Sequence, residues 1–199
     1  MAEVLPINFP VPTENTIATY DYFDAIAGVG YRKFYPMIYE NSTTVSYALV
    51  NDNSLVTPTR GKKITATGNY DFDITTNTPL TISGDATFNY FLSIAGGSFS
   101  GTGTIYHVTS GGTETQLGTV TFLAGVSGQA MYCVKITCTQ KSFAIGEKIR
   151  FSIDCTIGAT AELSIDPASL ASVAENAGGI TGRTLPLTSI LILPFKVQN

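Results

Sequence analysis

From residue 43 onward, apolar and polar side chains alternate with a period of two through most of the chain. Within MYCVKITCTQ (131–140) and KIRFSIDCTI (148–157), the apolar members of the alternation are Tyr132, Val134, Ile136, Cys138, Ile149, Phe151, Ile153, Cys155 and Ile157. Residues two apart lie on the same side of a β-strand, whereas a helix needs a period of 3.6. The alternation therefore predicts antiparallel strands with one face buried and the other in water.

The number and length of these segments indicate the architecture. About eight alternating segments follow one another at intervals of ten to fifteen residues, which is typical of a β-sandwich. One segment, GTIYHVTSGGTETQLGTVTF (103–122), reads as a hairpin that turns at Ser110, Gly111 and Gly112. We therefore predict an all-β protein, an antiparallel β-sandwich of the jelly-roll type. An immunoglobulin-like sandwich is the alternative, although the chain contains no Trp.

The two ends of the chain depart from this pattern. Residues 1–20 contain Pro6, Pro10 and Pro12, which disfavour helix and lack the amide hydrogen of a strand ladder. We predict that residues 1–20 form an extended N-terminal arm. Residues 21–199 are predicted to form one sandwich domain.

At most one or two short helices are expected. The stretch DYFDAIAG (21–28) is long enough for one or two turns. A second helix is predicted after residue 165, where Asp166 suits the N-cap, Pro167 the first helical position and Gly178 the C-terminal cap. A long loop is the alternative there.

Composition bears on the partners of the protein. Charged residues make up 13 % of the 199 residues, against about 25 % in an ordinary soluble domain, so we expect much of the surface to be shared with partner subunits. The net charge of −4 argues against direct binding to nucleic acid, which needs clustered Lys and Arg. No apolar run approaches the length of a membrane span, so neither a membrane partner nor a secretory signal is expected.

No catalytic, cofactor-binding or metal-binding site is predicted. His107 is the single histidine and lies inside a strand, where we expect it to be half-exposed with no acid beside it. Asp71 and Asp73 share one side of a strand, but such outward alternation is ordinary in a sheet. The sequence Asn51-Asp52-Asn53 offers oxygen ligands for calcium, and turn formation explains it equally well.

The three cysteines are expected to be reduced. Cys138 and Cys155 continue the apolar alternation of their strands and are predicted to face the core. Cys133 is an odd number of residues from Cys138 and should face the other way. Unpaired thiols favour assembly in a cytoplasm over secretion.

An aromatic cluster surrounds two glycines near the N-terminus. The aromatic residues that we single out are Tyr22, Phe23, Tyr31, Phe34 and Tyr35. They could pack on the protein's own sheet, stack on a sugar, or contact a neighbouring copy of the chain. We predict that they contribute to a subunit interface, since interface cores are rich in aromatic residues and poor in Lys and Glu.

The stretches YDYFDAIAGVGYRKFYP (20–36), TTVSYALVND (43–52) and FAIGEKIRFSIDCTI (143–157) resemble those of jelly-roll structural proteins of tailed bacteriophages, of the capsid-decoration and fibre-head type. The resemblance implies a non-enzymatic virion component that assembles as a homotrimer. It also implies a second partner in the virion, such as the major capsid protein, and a location in particles assembled in the host cytoplasm. The alternative is a carbohydrate-binding or receptor-binding sandwich module at a phage tail or fibre tip.

Overall fold

Every regular element in the described part of the chain is a β-strand. The computed structural model describes residues 29–41, 44–51, 63–122, 128–165 and 189–197. The strands are β1 (Val29–Asn41), β2 (Thr44–Val50), β3 (Lys63–Ile64), β4 (Gly68–Thr75), β5 (Leu80–Ile94), β6 (Phe99–Val108), β7 (Glu114–Thr121), β8 (Gly128–Phe143), β9 (Lys148–Ile157), β10 (Ala161–Ser164) and β11 (Ile190–Val197).

The strands form two sheets that strand β1 joins. In the first sheet, β8 pairs with one edge of β5, and the other edge of β5 pairs with β11 and then β10. Strand β1 continues this sheet beside β11, and β3 continues it beside β10. The second sheet has the order β2-β4-β9-β6-β7. All pairings are antiparallel except the short contact between β2 and β4, where Ala48 lies opposite Asp73.

The strand order is that of a jelly roll. The order β1-β11-β5-β8 in one sheet faces the order β4-β9-β6-β7 in the other. Strands that are consecutive in the chain therefore tend to lie in opposite sheets, and strands distant in the chain pair side by side. This is the arrangement of two Greek keys in a double-sheet jelly roll. The prediction of an all-β antiparallel sandwich of this type is confirmed, and the described residues contain no helix.

The core lies between the two sheets and is rich in aromatic rings. Phe88 of the first sheet and Phe151 of the second meet edge to face with their centroids 4.7 Å apart. Tyr90 packs on Phe122 at 5.0 Å. Fully buried side chains at the positions expected from the alternation include Phe72, Phe88, Tyr90, Leu92, Ile136, Phe151 and Ile153. The period of two thus correctly identified the inward face of β4, β5, β8 and β9.

Strand β1 passes from one sheet into the other. Its first half pairs with β11 as far as Phe34, and its second half pairs with β2 from Tyr35 onward. Each half therefore has one ladder partner among the described residues. Pro36 lies in the second half, opposite Leu49, and its missing amide hydrogen is tolerated there because only one edge of this half is paired among the described residues.

The far side of the sandwich closes between β7 and β8. The hydroxyl of Thr139 donates to the carbonyl oxygen of Leu117 over 3.2 Å. At Gly118, an added Cβ atom would lie 2.5 Å from the carbonyl oxygen of Thr137. The two strands can approach this closely because Gly118 has no side chain.

Three predicted features lie outside the described residues. These are the N-terminal arm of residues 1–20, the one or two helical turns of residues 21–28 with the aromatic residues Tyr22 and Phe23, and the helix expected after Asp166. In the described part of the chain, no helix is long and apolar enough to cross a membrane.

Candidate functional site

The predicted interface residues that the structure describes lie in three different environments. Tyr31 is exposed, with 66 % of its surface accessible. Phe34 is 3 % exposed and belongs to the hydrophobic core, opposite Leu191 of β11. Tyr35 is half-buried at the point where β1 changes sheets. Tyr31 and Phe34 differ because an odd separation along a strand turns side chains to opposite faces.

The outer surface of the first sheet carries apolar side chains among polar and charged ones, and we call it the apolar face. Its apolar members, which alternate with core residues along β1, β5, β8 and β11, are Tyr31, Phe91, Met131, Cys133, Ile190 and Ile192. Phe91 is buried and the two isoleucines are half-buried, whereas Tyr31, Met131 and Cys133 are exposed. This face therefore presents a large aromatic and a large aliphatic side chain to solvent.

The outer surface of β4, β9, β6 and β7 is chemically different, and we call it the polar face. Arg150 on β9 holds Asp73 on β4 in a two-pronged contact, with Nε 2.7 Å from Oδ1 and Nη2 2.9 Å from Oδ2. The same guanidinium contacts the carboxylates of Asp71 and Glu114, and Lys148 contacts Asp73. Planar two-pronged pairing of this kind is stronger and more specific than a single hydrogen bond.

The pKa values on the polar face reflect this network. Burial raises the pKa of Asp73, but the hydrogen bonds and charge of Arg150 outweigh it, so the pKa of the carboxyl lies below its usual value. The hydrogen bonds to Asp73 raise the pKa of Arg150. Asp73 is thus held as an ionised partner of Arg150, and Asp71 contacts the same guanidinium, which is a structural role.

A groove of about 290 Å³ opens at one end of the polar face, across β7, β6 and β9. It is lined by Ser100, Gly101, Thr102, Thr121, Asp154, Cys155 and Thr156. Within the described residues, none of its four hydroxyl groups and neither oxygen of Asp154 makes a hydrogen bond. By contrast, in the next row of the same face Thr104 bonds Thr119 at 2.9 Å and Ser152 bonds Asn69 at 2.7 Å. The groove is therefore the part of this face with unused polar groups.

The structure corrects the expectation for His107. Its side chain is buried, and Nε2 lies 2.8 Å from Oε2 of Glu147, which belongs to the turn between β8 and β9. The ring meets Phe143 edge to face at 4.8 Å. The expected exposure and the missing acid were both wrong, because β6 directs His107 toward the interior at the end of the sandwich, where a sequence-distant turn supplies the acid.

The His107–Glu147 pair has the geometry of a structural contact. Glu147 also accepts a hydrogen bond from the backbone N–H of Ala144 over 2.7 Å, which closes the turn. The nearby hydroxyl of Thr76 donates to backbone carbonyl oxygens of the same turn. These hydrogen bonds tie the β8–β9 turn to β6 and to the loop after β4. The sequence does mark a turn at Gly146 and Glu147. The alternation of apolar residues could not show that Glu147 of this turn contacts His107.

The described residues contain no group of three or more His, Cys, Asp or Glu side chains placed to hold a metal ion. Asn51 is exposed, and its neighbours Asp52 and Asn53 lie outside the described ranges. The cysteines lie where the sequence predicted: Cys138 and Cys155 are buried and Cys133 is exposed, and all three are free. Burial raises the pKa of both buried thiols to about 11.

Comparison with known proteins identifies distant structural likenesses only. No family model and no curated protein matches the sequence. An aminopeptidase from a marine sediment archaeon, Thaumarchaeota archaeon, matches 63 % of this chain and 25 % of its own, at 12 % identity and a TM-score of 0.44. A CocE/NonD family hydrolase from Staphylococcus aureus matches 85 % of this chain and 34 % of its own, at 9 % identity and a TM-score of 0.44.

A viral protein is also among the matches. The VP2 subviral particle of infectious bursal disease virus matches 82 % of this chain and 42 % of its own, at 14 % identity and a TM-score of 0.22. The chain thus spans a quarter to a third of the length of the two hydrolases and less than half of the viral protein. Matches at this level include viral capsid and hydrolase proteins alike and identify no family.

Proposed function

We propose that this protein is a non-enzymatic structural component of a bacteriophage particle, which assembles with copies of itself and binds the capsid as a decoration or auxiliary protein. The observation that carries the proposal is the apolar face. Tyr31 and Met131 are 66 % and 48 % exposed on a jelly-roll sheet whose opposite counterpart is covered by ion pairs and hydroxyl groups.

The difference between the two outer faces supports assembly. Contiguous apolar patches of more than a few hundred Å² on a soluble protein usually mark interaction sites. Aromatic residues and Met are enriched at the cores of protein interfaces, and Lys and Glu are depleted there. The apolar face exposes Tyr31 and Met131, two residue types enriched in interface cores, in a chain with only 13 % charged residues.

The non-enzymatic part of the proposal agrees with how the acid and base side chains are used. His107 and Glu147 hold a turn, and Asp71 and Asp73 hold Arg150. Three copies, a partner such as the major capsid protein, and a location in virions assembled in the host cytoplasm are proposed from the resemblance to phage jelly-roll proteins.

Light scattering on the purified protein tests self-assembly. We expect a mass three times the 21.1 kDa of the chain. Met131→Glu should reduce this mass, because it places a charge on the apolar face. Ile145→Glu is the control, since Ile145 is also an exposed apolar residue, at 66 % against 48 % for Met131, but lies at the β8–β9 turn. A mass of 21.1 kDa at micromolar concentration would contradict assembly, and absence of the protein from mass spectra of purified particles would contradict the virion role.

A second candidate function is supported by the groove on the polar face. Its free hydroxyl groups and the Asp154 carboxylate could bind the hydroxyl groups of a sugar, as a receptor-binding module would. The sugar-stacking aromatic side chain typical of such modules is not among the groove residues. Binding on a glycan array that Asp154→Ala abolishes would favour this function.

A further inference from the structure

We infer that the groove on the polar face receives Tyr31 and Lys33 from the apolar face of a neighbouring copy, with Lys33 pairing with Asp154. This inference rests on the self-assembly that we propose above and specifies its contact. The contact joins two different surfaces, so it is of the head-to-tail kind that repeats from copy to copy.

Charge favours this pairing of faces. By strand register, the described part of the apolar face carries four lysines and two carboxylates, leaving an excess of two positive charges: Lys33, Lys63, Lys135, Lys196, Asp85 and Glu162. The polar face carries four carboxylates and two cations, leaving an excess of two negative charges: Asp71, Asp73, Glu114, Asp154, Lys148 and Arg150. Two apolar faces would repel each other, whereas an apolar face and a polar face attract.

Each face has charges without an ion-pair partner among the described residues: Lys33 and Lys196 on the apolar face, and Asp154 on the polar face. Lys135 pairs with Asp85 and Lys63 with Glu162 on the apolar face, and Arg150 gathers three carboxylates on the polar face. Lys33 and Asp154 are both exposed, and neither has an ion-pair partner among the described residues. Lys33 with its neighbour Tyr31 is thus complementary to Asp154 with the unbonded threonine hydroxyl groups beside it.

The spacing of the two sets of groups is compatible with simultaneous contact. Tyr31 and Lys33 lie two residues apart on one side of β1, a separation of about 7 Å along a strand. In the groove, Thr102 lies directly opposite Asp154 on one side and Thr121 on the other. Neighbouring strands are about 5 Å apart, so Asp154 and Thr121 are about 10 Å apart with Thr102 between them. The phenol of Tyr31 can bond a threonine hydroxyl while the Lys33 ammonium reaches the carboxylate.

Charge reversal tests the contact. Lys33→Asp and Asp154→Lys should each weaken self-association on the order of tenfold, because each places like charges opposite one another. The double variant Lys33→Asp/Asp154→Lys should recover most of the association. Lys196→Asp is the control, since Lys196 is an exposed cation of the same face outside the proposed contact. Sedimentation velocity over a concentration series measures the association of the wild type and the four variants, with urea unfolding to verify that each is folded.

The outcomes separate this inference from the proposal on which it rests. If both single variants assemble like the wild type while Met131→Glu dissociates, the contact is wrong and self-assembly stands. If Asp154→Lys assembles normally but loses binding to a glycan array, the groove is a sugar site and the inference is overturned. A monomeric wild type would overturn both. Failure of the double variant to recover association would also contradict the Lys33–Asp154 pair.

Discussion

His107 and Glu147 lie forty residues apart in sequence, and their side chains meet over 2.8 Å at the end of the sandwich. The carboxylate accepts the hydrogen of Nε2, and Nδ1 is buried without a hydrogen-bond partner. Loss of the carboxylate would therefore leave the buried ring with no polar contact. The pair joins strand β6 to the β8–β9 turn, and its removal should be measurable.

We expect Glu147→Ala to lower the free energy of unfolding by about 2–3 kcal/mol, because an unsatisfied buried polar group costs about 1–3 kcal/mol and the Ala144 N–H also loses its acceptor. Glu147→Gln should lose less, since its amide oxygen can still accept one hydrogen bond. Urea unfolding at pH 7 measures both. Equal losses in the two variants would show that the contact with His107 contributes little.

The same pair should make stability depend on pH in the acid range. The hydrogen bond with His107, followed by that from Ala144, lowers the pKa of Glu147 below its ordinary value of 4.5. A carboxyl whose pKa is lower in the folded state contributes stability above its unfolded pKa and loses it as pH falls through the folded pKa. Between about pH 5 and pH 3, the difference in unfolding free energy between wild type and Glu147→Gln should thus shrink as the pH falls. A difference that grows on acidification would contradict this assignment.

Arg150 on the polar face should be worth more than an ordinary surface ion pair. Its side chain is 19 % exposed and its two-pronged partner Asp73 is 22 % exposed. We expect Arg150→Met to cost about 1–2 kcal/mol, between the values typical of exposed pairs and of hydrogen bonds to charged groups. Lys135→Met is the control, because the Lys135–Asp85 pair is largely exposed and its loss should cost much less. If chemical denaturation gives similarly small losses of unfolding free energy for Arg150→Met and Lys135→Met, solvent fully screens the Arg150 network.

Tyr31 and Phe34 should separate assembly from folding. Phe34→Ala removes a core ring and is expected to cost about 3–5 kcal/mol of stability. Tyr31→Ala should leave the unfolding free energy of the monomer within about 0.5 kcal/mol, as is usual for an exposed site, while weakening self-association. Unfolding by Tyr31→Ala would place its ring in the fold and not in an interface.

Gly118 should be intolerant of any side chain. A Cβ atom there would lie 2.5 Å from the carbonyl oxygen of Thr137, and the obstacle is backbone of the neighbouring strand. We expect Gly118→Ala to cost about 1–3 kcal/mol, as overpacking does elsewhere. Gly111→Ala in the same β6–β7 hairpin is the control, because the nearest atom to its Cβ would be 3.8 Å away. Thermal unfolding of the two variants gives the comparison, and equal melting temperatures would disprove close packing of β7 on β8.

The thiols should react in two classes. Burial raises the pKa of Cys138 and Cys155 to about 11, and both are enclosed by the core, so neither should react quickly with a thiol reagent at pH 8. Cys133 is exposed and should react at once. Native Cys133→Ser protein should therefore show no fast labelling, and denaturation should release two thiols. Fast labelling of that variant without denaturant would contradict the core placement.

The sequence by itself determined which side of each strand is buried. The alternation at Phe88-Tyr90-Leu92 and at Ile149-Phe151-Ile153 is a local property, since adjacent side chains on a strand point to opposite faces whatever its partner is. It therefore predicted the all-β class, the inward cysteines and the outward Asp71 and Asp73.

Only the tertiary structure decided which strands are neighbours and what meets at their ends. The passage of β1 from one sheet to the other placed Tyr31 on the surface and Phe34 in the core of the same strand. The pairing of β4 with β9 brought Asp73 to Arg150, and the β8–β9 turn brought Glu147 to His107. The alternation cannot predict these contacts, because the side chains of a strand alternate with a period of two whichever strand lies beside it. The choice of partner depends on side chains far apart in sequence that fill one core together.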